Sequence, residues 1–262
     1  MKRVVFNQKG GVGKTSITCN LAAISAARGL RTLVIDLDVQ GNSTHYLVGE
    51  IDADAFPAEA QGVAGLFKQT VGSRKMRQNP DSFVWETPSE NLFLLPSSPV
   101  LTQLEKELES RYKIYKLRDA LEKLDEEYDR VYIDTPPNFN FYSKSALIAA
   151  DTVLVPFDCD SFARQSLYSL MENIAELQED HNPDLEVEGI VINQFNSQAR
   201  LPGELVAELE EEGYPVCRTY LSTSVKMKES HREHRPLVDM APSHKLTLQF
   251  LQLYAELEGG RS

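Results

Sequence analysis

A glycine-rich segment near the N-terminus constrains this chain more than any other part of its sequence. Residues Phe6–Ser16 read FNQKGGVGKTS, and the short apolar run Val4–Phe6 leads into them. Ile17, Leu21 and Ile24 follow at helical spacing. A strand, a turn rich in backbone N–H groups and a helix N-terminus together build a site for phosphate groups. The segment therefore predicts a strand–loop–helix unit that binds phosphate.

The residue types in this loop indicate a nucleotide site. Gln8 stands where the general G-x-x-x-x-G-K-[ST] pattern has its first glycine, but the predicted strand and helix on either side argue against a chance glycine-rich turn. Lys14 is expected to reach the β- and γ-phosphates, and the Thr15 hydroxyl to hold Mg²⁺. An ordinary phosphate loop needs no lysine at the position of Lys9. This extra positive charge therefore narrows the classes of phosphate-loop protein that fit the sequence. We expect the nucleotide to be bound by Gly10, Gly11, Val12, Gly13, Lys14, Thr15 and Ser16.

Size and composition suit a single globular domain spanning residues 1–262. The chain is 42% hydrophobic and 25% charged, and it has no apolar run long enough to cross a membrane. The N-terminus enters the first strand at once, which leaves no room for a signal peptide. The three cysteines have no paired spacing, which favours a reduced, cytoplasmic protein.

Short apolar runs alternate with longer helical patterns along the chain. Most runs are apolar throughout, as expected of strands buried on both faces. This alternation predicts an α/β fold, a single-domain P-loop fold with a mostly parallel twisted sheet and helices on both faces. The predicted strands are Val4–Phe6, Thr32–Ile35, Leu92–Leu95, Val131–Ile133, Val153–Val155 and Ile190–Ile192. The predicted helices are Thr15–Arg28, Thr102–Glu127, Ser143–Ala150, Arg164–Gln178, Pro202–Glu212 and Ser243–Leu257. Asp52–Gly62 and Ser73–Asn79 are predicted loops.

Carboxylates follow two of the predicted strands. Asp36 and Asp38 come directly after the second run, and Asp134 follows the fourth. Ligands of such sheets bind beyond the carboxyl ends of the strands, so these acids are expected beside the phosphates. One acid of the first pair is suited to orienting water for attack on the γ-phosphate, and the other to tuning the metal shell. Asp134 is suited to Mg²⁺, directly or through water. The alternative for Asp36–Asn42 is an Asx-rich turn.

The motifs KGGVGKTS, DLDVQGN and DTPP, in this order, resemble the ParA/MinD-type ATPases with a deviant phosphate loop. The closer resemblance is to ParA-like partition ATPases, and it extends over nearly the whole chain. It implies ATP and Mg²⁺ as cofactors and slow ATP hydrolysis. It also implies that Lys9 reaches across an ATP-bound dimer to the partner's phosphates. Asp38 then matches the acid needed for hydrolysis, Asp134 the acid of the second switch, and Asn193 an adenine contact.

The same resemblance implies a positioning role. ATP would drive formation of a homodimer that binds nonspecific DNA, so that the protein associates with the nucleoid. A ParB-like or cargo-adaptor protein would stimulate hydrolysis and release the dimer. The cargo would be a plasmid, a chromosome origin or a protein assembly. Because the chain begins at the first strand, no N-terminal helix-turn-helix domain is expected.

The DNA surface is the least defined part of this interpretation. The net charge of −12 argues against bulk attraction to nucleic acid, but the stretch 213–245 holds six basic and three acidic residues. A solvated mixed-charge surface is the alternative explanation. The candidate DNA contacts are Arg200, Lys226, Lys228, Arg232 and Arg235.

Other functions of the same fold remain as alternatives. A MinD-like protein that tracks membranes would carry a basic amphipathic helix at its C-terminus, whereas the tail LTLQFLQLYAELEGGRS has no basic face and is expected to pack on the core. A metallocluster protein would bring cysteines together at a dimer axis, and the cysteine spacing does not favour that. A metabolic P-loop relative would need a substrate or glutaminase site that the sequence does not reveal.

Overall fold

Seven strands form one sheet in the order β3-β4-β2-β5-β1-β6-β7. The computed structural model describes residues 1–50, 61–69, 78–159, 163–195 and 200–259. All neighbouring strands are parallel except β3 and β4, which pair antiparallel at one edge. The mostly parallel sheet expected from the sequence is therefore confirmed. The strands are β1 (Lys2–Val5), β2 (Thr32–Asp36), β3 (Trp85–Glu86), β4 (Leu92–Leu95), β5 (Arg130–Asp134), β6 (Thr152–Asp158) and β7 (Glu186–Asn193).

Helices cover both faces of the sheet. On β2, Leu33 and Ile35 pack into one hydrophobic core while Val34 packs into the other, because successive side chains of a strand point to opposite faces. The first core includes residues of α3 to α8, and the second includes residues of α1, α2, α10 and α11. The helices are α1 (Lys14–Ala27), α2 (Asn42–Val48), α3 (Gly62–Lys68), α4 (Leu101–Ser110), α5 (Lys116–Leu124), α6 (Phe141–Ala149), α7 (Ala163–His181), α8 (Arg200–Glu211), α9 (Val225–Arg232), α10 (Leu237–Met240) and α11 (Lys245–Gly259).

One predicted helix is wrong. The pattern over Thr102–Glu127 predicts a single helix, but the structure forms α4 and α5 with a turn between them. Tyr112 adopts a left-handed backbone with a φ of 54°. The N–H groups of Tyr112 and Lys113 donate to the carbonyls of Glu109 and Leu108. This hydrogen-bond pattern closes a helix C-terminus, and no glycine marks it in the sequence.

Shorter elements were not predicted. They are β3, α2, α3, α9, α10 and a 3₁₀ turn at Pro80–Phe83. Helices of four to eight residues give too few turns for a periodic signal, and a two-residue strand gives none. Of the predicted loop Asp52–Gly62, Gly62 begins α3, and most of both predicted loops lies outside the described residues.

The C-terminal helix packs on the core, as the tail sequence predicts. Leu246, Phe250, Leu253 and Leu257 of α11 are all buried. Leu248 is about half exposed on the opposite side. Within the part of the chain that the structure describes, no helix is long and apolar enough to cross a membrane.

Candidate functional site

The three motifs meet at the carboxyl ends of three neighbouring strands. β1 runs into the glycine-rich loop, β2 ends at Asp36 and β5 ends at Asp134. The strand register pairs Asp134 with both Val5 and Asp36. The adjacency follows from the sheet order, in which β5 lies between β2 and β1. Ligands of parallel sheets bind at this edge.

The glycine-rich loop ends at the exposed N-terminus of α1. Gly11 and Gly13 have φ values of 78° and 92°, a backbone region that side chains with a Cβ rarely adopt. Gly13 is the N-cap of α1 and supplies no capping side chain. The first N–H groups of a helix have no acceptor within the helix, so those of α1 are available to an anion.

Lys14 brings a nearly buried cation into this loop. The residue is 7% exposed, and its Nζ donates to the carbonyl oxygen of Lys9 at 3.0 Å. Burial lowers the pKa of Lys14, although the carboxylates of Asp134 and Asp38 act in the opposite direction. A phosphate group is a stronger partner for this ammonium than a carbonyl oxygen, because a hydrogen bond between opposite charges is the stronger kind.

Hydroxyl and carboxylate oxygens cluster beside Lys14. Oδ2 of Asp134 accepts hydrogen bonds from Oγ1 of Thr15 at 2.8 Å and from Oγ of Ser43 at 2.6 Å. The Cys19 thiol donates to Ser43 from behind at 3.3 Å. Burial raises the pKa of Asp134, which a nearby cation would offset. Hard oxygen donors of this kind are the ligands that Mg²⁺ prefers, so Thr15 and Asp134 fit the metal predicted from the sequence.

Asp36 and Asp38 occupy different environments. Asp36 is fully buried, accepts hydrogen bonds from the backbone N–H and hydroxyl of Thr44, and also accepts one from the N–H of Asp38. Burial, followed by the charge of Asp134, raises the pKa of Asp36. The Asp38 carboxylate has one described hydrogen bond, which Oδ1 accepts from the N–H of Gln40. Asp36 thus holds the start of α2, and Asp38 is the acid better placed to meet a ligand.

Lys9 lies on the outer rim of the loop. Its backbone N–H donates to the side chain of Asn7, and its Nζ lies 3.9 Å from Oδ2 of Asp158 at the end of β6. The Lys9 side chain is 35% exposed. The two lysines of the loop therefore face different surroundings, one inside the site and one towards solvent.

A cleft of about 220 Å³ opens beside the phosphate loop. Nδ2 of Asn193 donates to the carbonyl of Val12, and Nε2 of Gln194 donates to that of Gly11. The cleft lies next to the N-terminus of α1, where the base and ribose of a nucleotide would extend from its phosphates. The lining residues are Gly11, Gly13, Ser16, Asn193, Gln194, Ser222, Thr223, Ser224, Met227, Lys228, Leu246 and Phe250. Apart from the loop, Asn193 and Lys228, none was predicted, because they lie far apart in the sequence and form no motif. A larger cleft of about 600 Å³ lies at the opposite ends of the strands, beside Glu186 and Glu188, away from this chemistry.

The structure brings three of the candidate DNA residues onto one short helix. Lys226 forms an ion pair with Glu229 at 2.5 Å. Lys228 lines the 220 Å³ cleft beside the phosphate loop, and Arg232 is exposed. Arg235 follows the helix, and its guanidinium donates to the carbonyl of Asp239. Arg200 begins α8, and its side chain lies outside the described residues.

Comparison with known proteins identifies similar chains. A family model described as an AAA domain matches residues 2–187. The chromosome partitioning protein ParA of Myxococcus xanthus is 32% identical over 258 residues, which cover 97% of this chain and 86% of that protein.

Two solved structures are similar over most of the chain. Apo McdA of Cyanothece superposes with a TM-score of 0.84 at 22% identity and covers 98% of both chains. The cobyrinic acid a,c-diamide synthase of Mycobacterium smegmatis, with bound ADP and magnesium, has a TM-score of 0.73 at 29% identity. It covers 88% of this chain and 91% of its own. The first likeness concerns the fold alone.

Proposed function

This chain belongs to the ParA/MinD-type P-loop ATPases, and on that premise we propose that it is a positioning ATPase that uses DNA as its track. In this proposal ATP drives dimerisation, and the dimer binds DNA without sequence preference. A partner protein on the cargo then stimulates hydrolysis and releases the dimer. The protein works in the cytoplasm, associated with the nucleoid.

The second lysine of the phosphate loop carries this proposal. Lys14 already supplies the buried cation of the site, so Lys9 is not needed for that purpose. Its side chain lies at the rim, partly exposed and close to Asp158. A lysine in this place is suited to the γ-phosphate of a second subunit, where it neutralises charge that one subunit leaves exposed. Dimerisation then depends on the triphosphate.

The residues around Lys14 are suited to hydrolysis. The N-terminus of α1 and Lys14 bind the phosphates, and Asn193 contacts the base side of the cleft. Asp38 orients a water whose oxygen bonds to the γ-phosphorus as the bond from that phosphorus to the β-phosphate oxygen of ADP breaks. Thr15 and Asp134 would hold Mg²⁺, and the metal would neutralise charge on the phosphate oxygens.

The proposed DNA surface is centred on α9. Lys226, Lys228 and Arg232 lie on this helix, and Arg235 follows it. The surface is small compared with the net charge of −12, so the interaction should be weak for one subunit and strengthened when a dimer presents two copies. Contacts of this kind are electrostatic and weaken as salt rises.

The names of the relatives support one kind of partner and cargo within this proposal. The name of the Myxococcus relative refers to chromosome partitioning, which favours a ParB-like partner and a chromosome origin or plasmid as cargo. A protein assembly with its own adaptor is the other cargo. The acidic face of α8 is one surface for a basic peptide of the partner, although Glu208 and Glu212 already pair with Arg164.

A membrane track has less support. The apolar residues of α11 that a membrane-binding helix would expose are mostly buried in the second core. The single large apolar side chain that α11 exposes among the described residues is Leu248. This arrangement favours DNA over lipid as the track.

The test measures binding of the Asp38→Ala protein to nonspecific duplex DNA, with ATP and with ADP, across a salt series. We expect binding with ATP alone, with affinity falling linearly on a logarithmic salt scale. Replacing both Lys226 and Arg232 by alanine should reduce the salt slope by about four, since the dimer loses two contacts per subunit and each phosphate contact contributes about one. Lys123→Ala, an exposed lysine of α5, is the matched control. Equal binding with ATP and ADP, or none with either, would reject DNA as the track.

A further inference from the structure

A buried polar cluster joins the phosphate loop to α9. We call it the α9 junction and define it by Ser16 and Asn20 of α1, Tyr46 of α2, and Ser230 and His231 of α9. Asn20, Tyr46 and Ser230 are almost fully buried. The Tyr46 ring packs into the second core, but the polar groups of the five residues form hydrogen bonds that join three separate elements.

His231 contacts two elements of the nucleotide site at once. Its Nε2 lies 2.9 Å from Oγ of Ser16. Ser16 follows Thr15 and lines the 220 Å³ cleft beside the phosphate loop. The imidazole also stacks on the Tyr46 ring, with 4.0 Å between ring centroids and an angle of 14° between planes. Burial, with His234 and His45 nearby, lowers the pKa of His231, so the ring is neutral and carries one donor and one acceptor nitrogen.

A directional chain of hydrogen bonds runs beside this contact. Nδ2 of Asn20 donates to the Ser16 carbonyl at 2.8 Å and to the Tyr46 hydroxyl at 3.1 Å. The Tyr46 and Ser230 hydroxyl oxygens are 2.5 Å apart, and Ser230 donates onward to the Arg235 carbonyl. Because Ser230 uses its proton there, Tyr46 must be the donor to Ser230. Each group has one role, so the chain has a single arrangement.

The helix α2 links the junction to the carboxylates of the site. Ser43 and Thr44, in its first turn, contact Asp134 and Asp36. Tyr46, two residues later, contacts α9. On the other side of the junction, Met227 and Lys228 of α9 line the cleft itself. The helix α9 is therefore bound to the nucleotide site at the cleft, at Ser16 and at α2.

We propose that His231 is a positioning residue that acts through the Ser16 hydroxyl to couple occupancy of the nucleotide site to the placement of α9. A phosphate oxygen at the N-terminus of α1 accepts a hydrogen bond from the Ser16 hydroxyl. Because that hydroxyl then uses its proton on the phosphate, Nε2 of His231 must donate a hydrogen bond to the Ser16 oxygen. Without a phosphate, Nε2 either donates or accepts. Nucleotide thus selects one hydrogen-bond arrangement and restrains α9. The coupling requires only that the chain binds nucleotide at the ATPase site. Any effect of the coupling on DNA affinity would in addition rest on the proposed function.

Three variants separate the hydrogen bond from the packing. His231→Phe keeps a ring against Tyr46 and removes the bond to Ser16. His231→Gln loses the ring and keeps an amide that can donate or accept. The matched control is His181→Phe on α7, where a histidine also bonds to a tyrosine hydroxyl, that of Tyr115, far from the nucleotide site.

The experiment measures hydrogen exchange of residues 225–232 with and without ADP or a non-hydrolysable ATP analogue, next to nucleotide affinity by calorimetry. We expect nucleotide to slow exchange in wild type, His181→Phe and His231→Gln. In His231→Phe the slowing should be at least halved, and nucleotide should bind about fivefold more weakly, the effect of one neutral hydrogen bond. If His231→Phe does not fold, Ser16→Ala removes the other partner of the same hydrogen bond and, at saturating nucleotide, should show the same loss of slowing.

Three results would overturn the proposal. The first is nucleotide binding to wild type with no change in exchange of α9. The second is full slowing in His231→Phe, or in Ser16→Ala where His231→Phe does not fold. The third is equal loss in His231→Phe and His231→Gln, which would show that a hydrogen-bonding side chain at this position does not restore the coupling. The exchange experiment uses no DNA. A failure of the DNA-binding test would therefore reject DNA as the track without deciding whether nucleotide is coupled to α9.

Discussion

The two lysines of the phosphate loop differ in their surroundings. Lys14 is almost buried and donates to a backbone carbonyl within the loop. Lys9 is partly exposed and lies near the Asp158 carboxylate. Substituting each in turn therefore separates a role inside the site from a role at its rim.

We predict that Lys9→Ala binds ATP nearly as well as wild type but forms no ATP-dependent dimer. The rim position explains both results, because the side chain contributes little to its own site and much to a facing subunit. Calorimetry measures binding, and light scattering with ATP measures the dimer. Lys14→Ala is the comparison and should weaken ATP binding about 10- to 100-fold. A dimer that persists in Lys9→Ala would refute the role in the facing subunit.

His231 also gives the protein a predictable response to acid. Burial beside His234 and His45 lowers its folded pKa below the unfolded value of about 6.5. The unfolded chain then binds the proton more readily, so the stabilisation is full above pH 6.5 and is lost as the pH falls below it. We predict that the urea midpoint of wild type falls more between pH 7 and pH 5 than that of His231→Gln. Parallel pH curves for the two proteins would contradict this assignment.

At the scale of elements, the turn between α4 and α5 carries a local strain. Tyr112 is 90% exposed and holds a left-handed backbone at the end of α4. Glycine is the common residue at this position of a helix terminus because it has no Cβ. The tyrosine side chain therefore gains nothing from packing that would offset the backbone conformation.

We predict that Tyr112→Gly stabilises the protein by about 0.5–1 kcal/mol, the relief of the left-handed strain less the added freedom of the unfolded chain. The expected rise in melting temperature is about 1–3 °C. Tyr112→Ala is the control, since it removes the same side chain but keeps the Cβ. An equal gain in Tyr112→Ala would show that the aromatic side chain, and not the backbone, is responsible.

At the scale of the whole molecule, a buried arginine joins the sheet to the C-terminal helix. Arg3 of β1 is 0% exposed and bonds to Glu188 of β7, Tyr132 of β5 and Glu258 of α11. Burial alone would lower the pKa of Arg3, but Tyr132, Glu188 and Glu258 outweigh it and raise the pKa. Four elements that are distant in the chain thus depend on one charged group.

We predict that Arg3→Leu lowers the free energy of unfolding by about 3–5 kcal/mol, because it removes the guanidinium that offsets the charge of the largely buried Glu188 carboxylate. Denaturant unfolding followed by circular dichroism measures the loss. Arg111→Ala, which breaks an exposed pair with Glu107, should cost only about 0–1 kcal/mol. Similar losses in the two variants would mean that burial does not govern the strength of the Arg3 contacts.

The sequence by itself determined the fold class and predicted the centre of the candidate site. The signals were local: apolar runs of strand length, helical spacing after Lys14, and three short motifs that each follow a strand. Since parallel strands end at one edge, local order was enough to bring Thr15, Asp38 and Asp134 together. These assignments needed no knowledge of which distant segments touch.

Only the tertiary structure decided which distant residues complete the site. Met227 and Phe250, from helices near the C-terminus, line the cleft. In the α9 junction His231 lies within hydrogen-bond distance of Ser16. No spacing in the sequence encodes such contacts, because they depend on how α9 and α11 pack against α1. The same packing separates Asp36, which holds α2, from Asp38, which faces the site, although the two acids stand two residues apart in one motif.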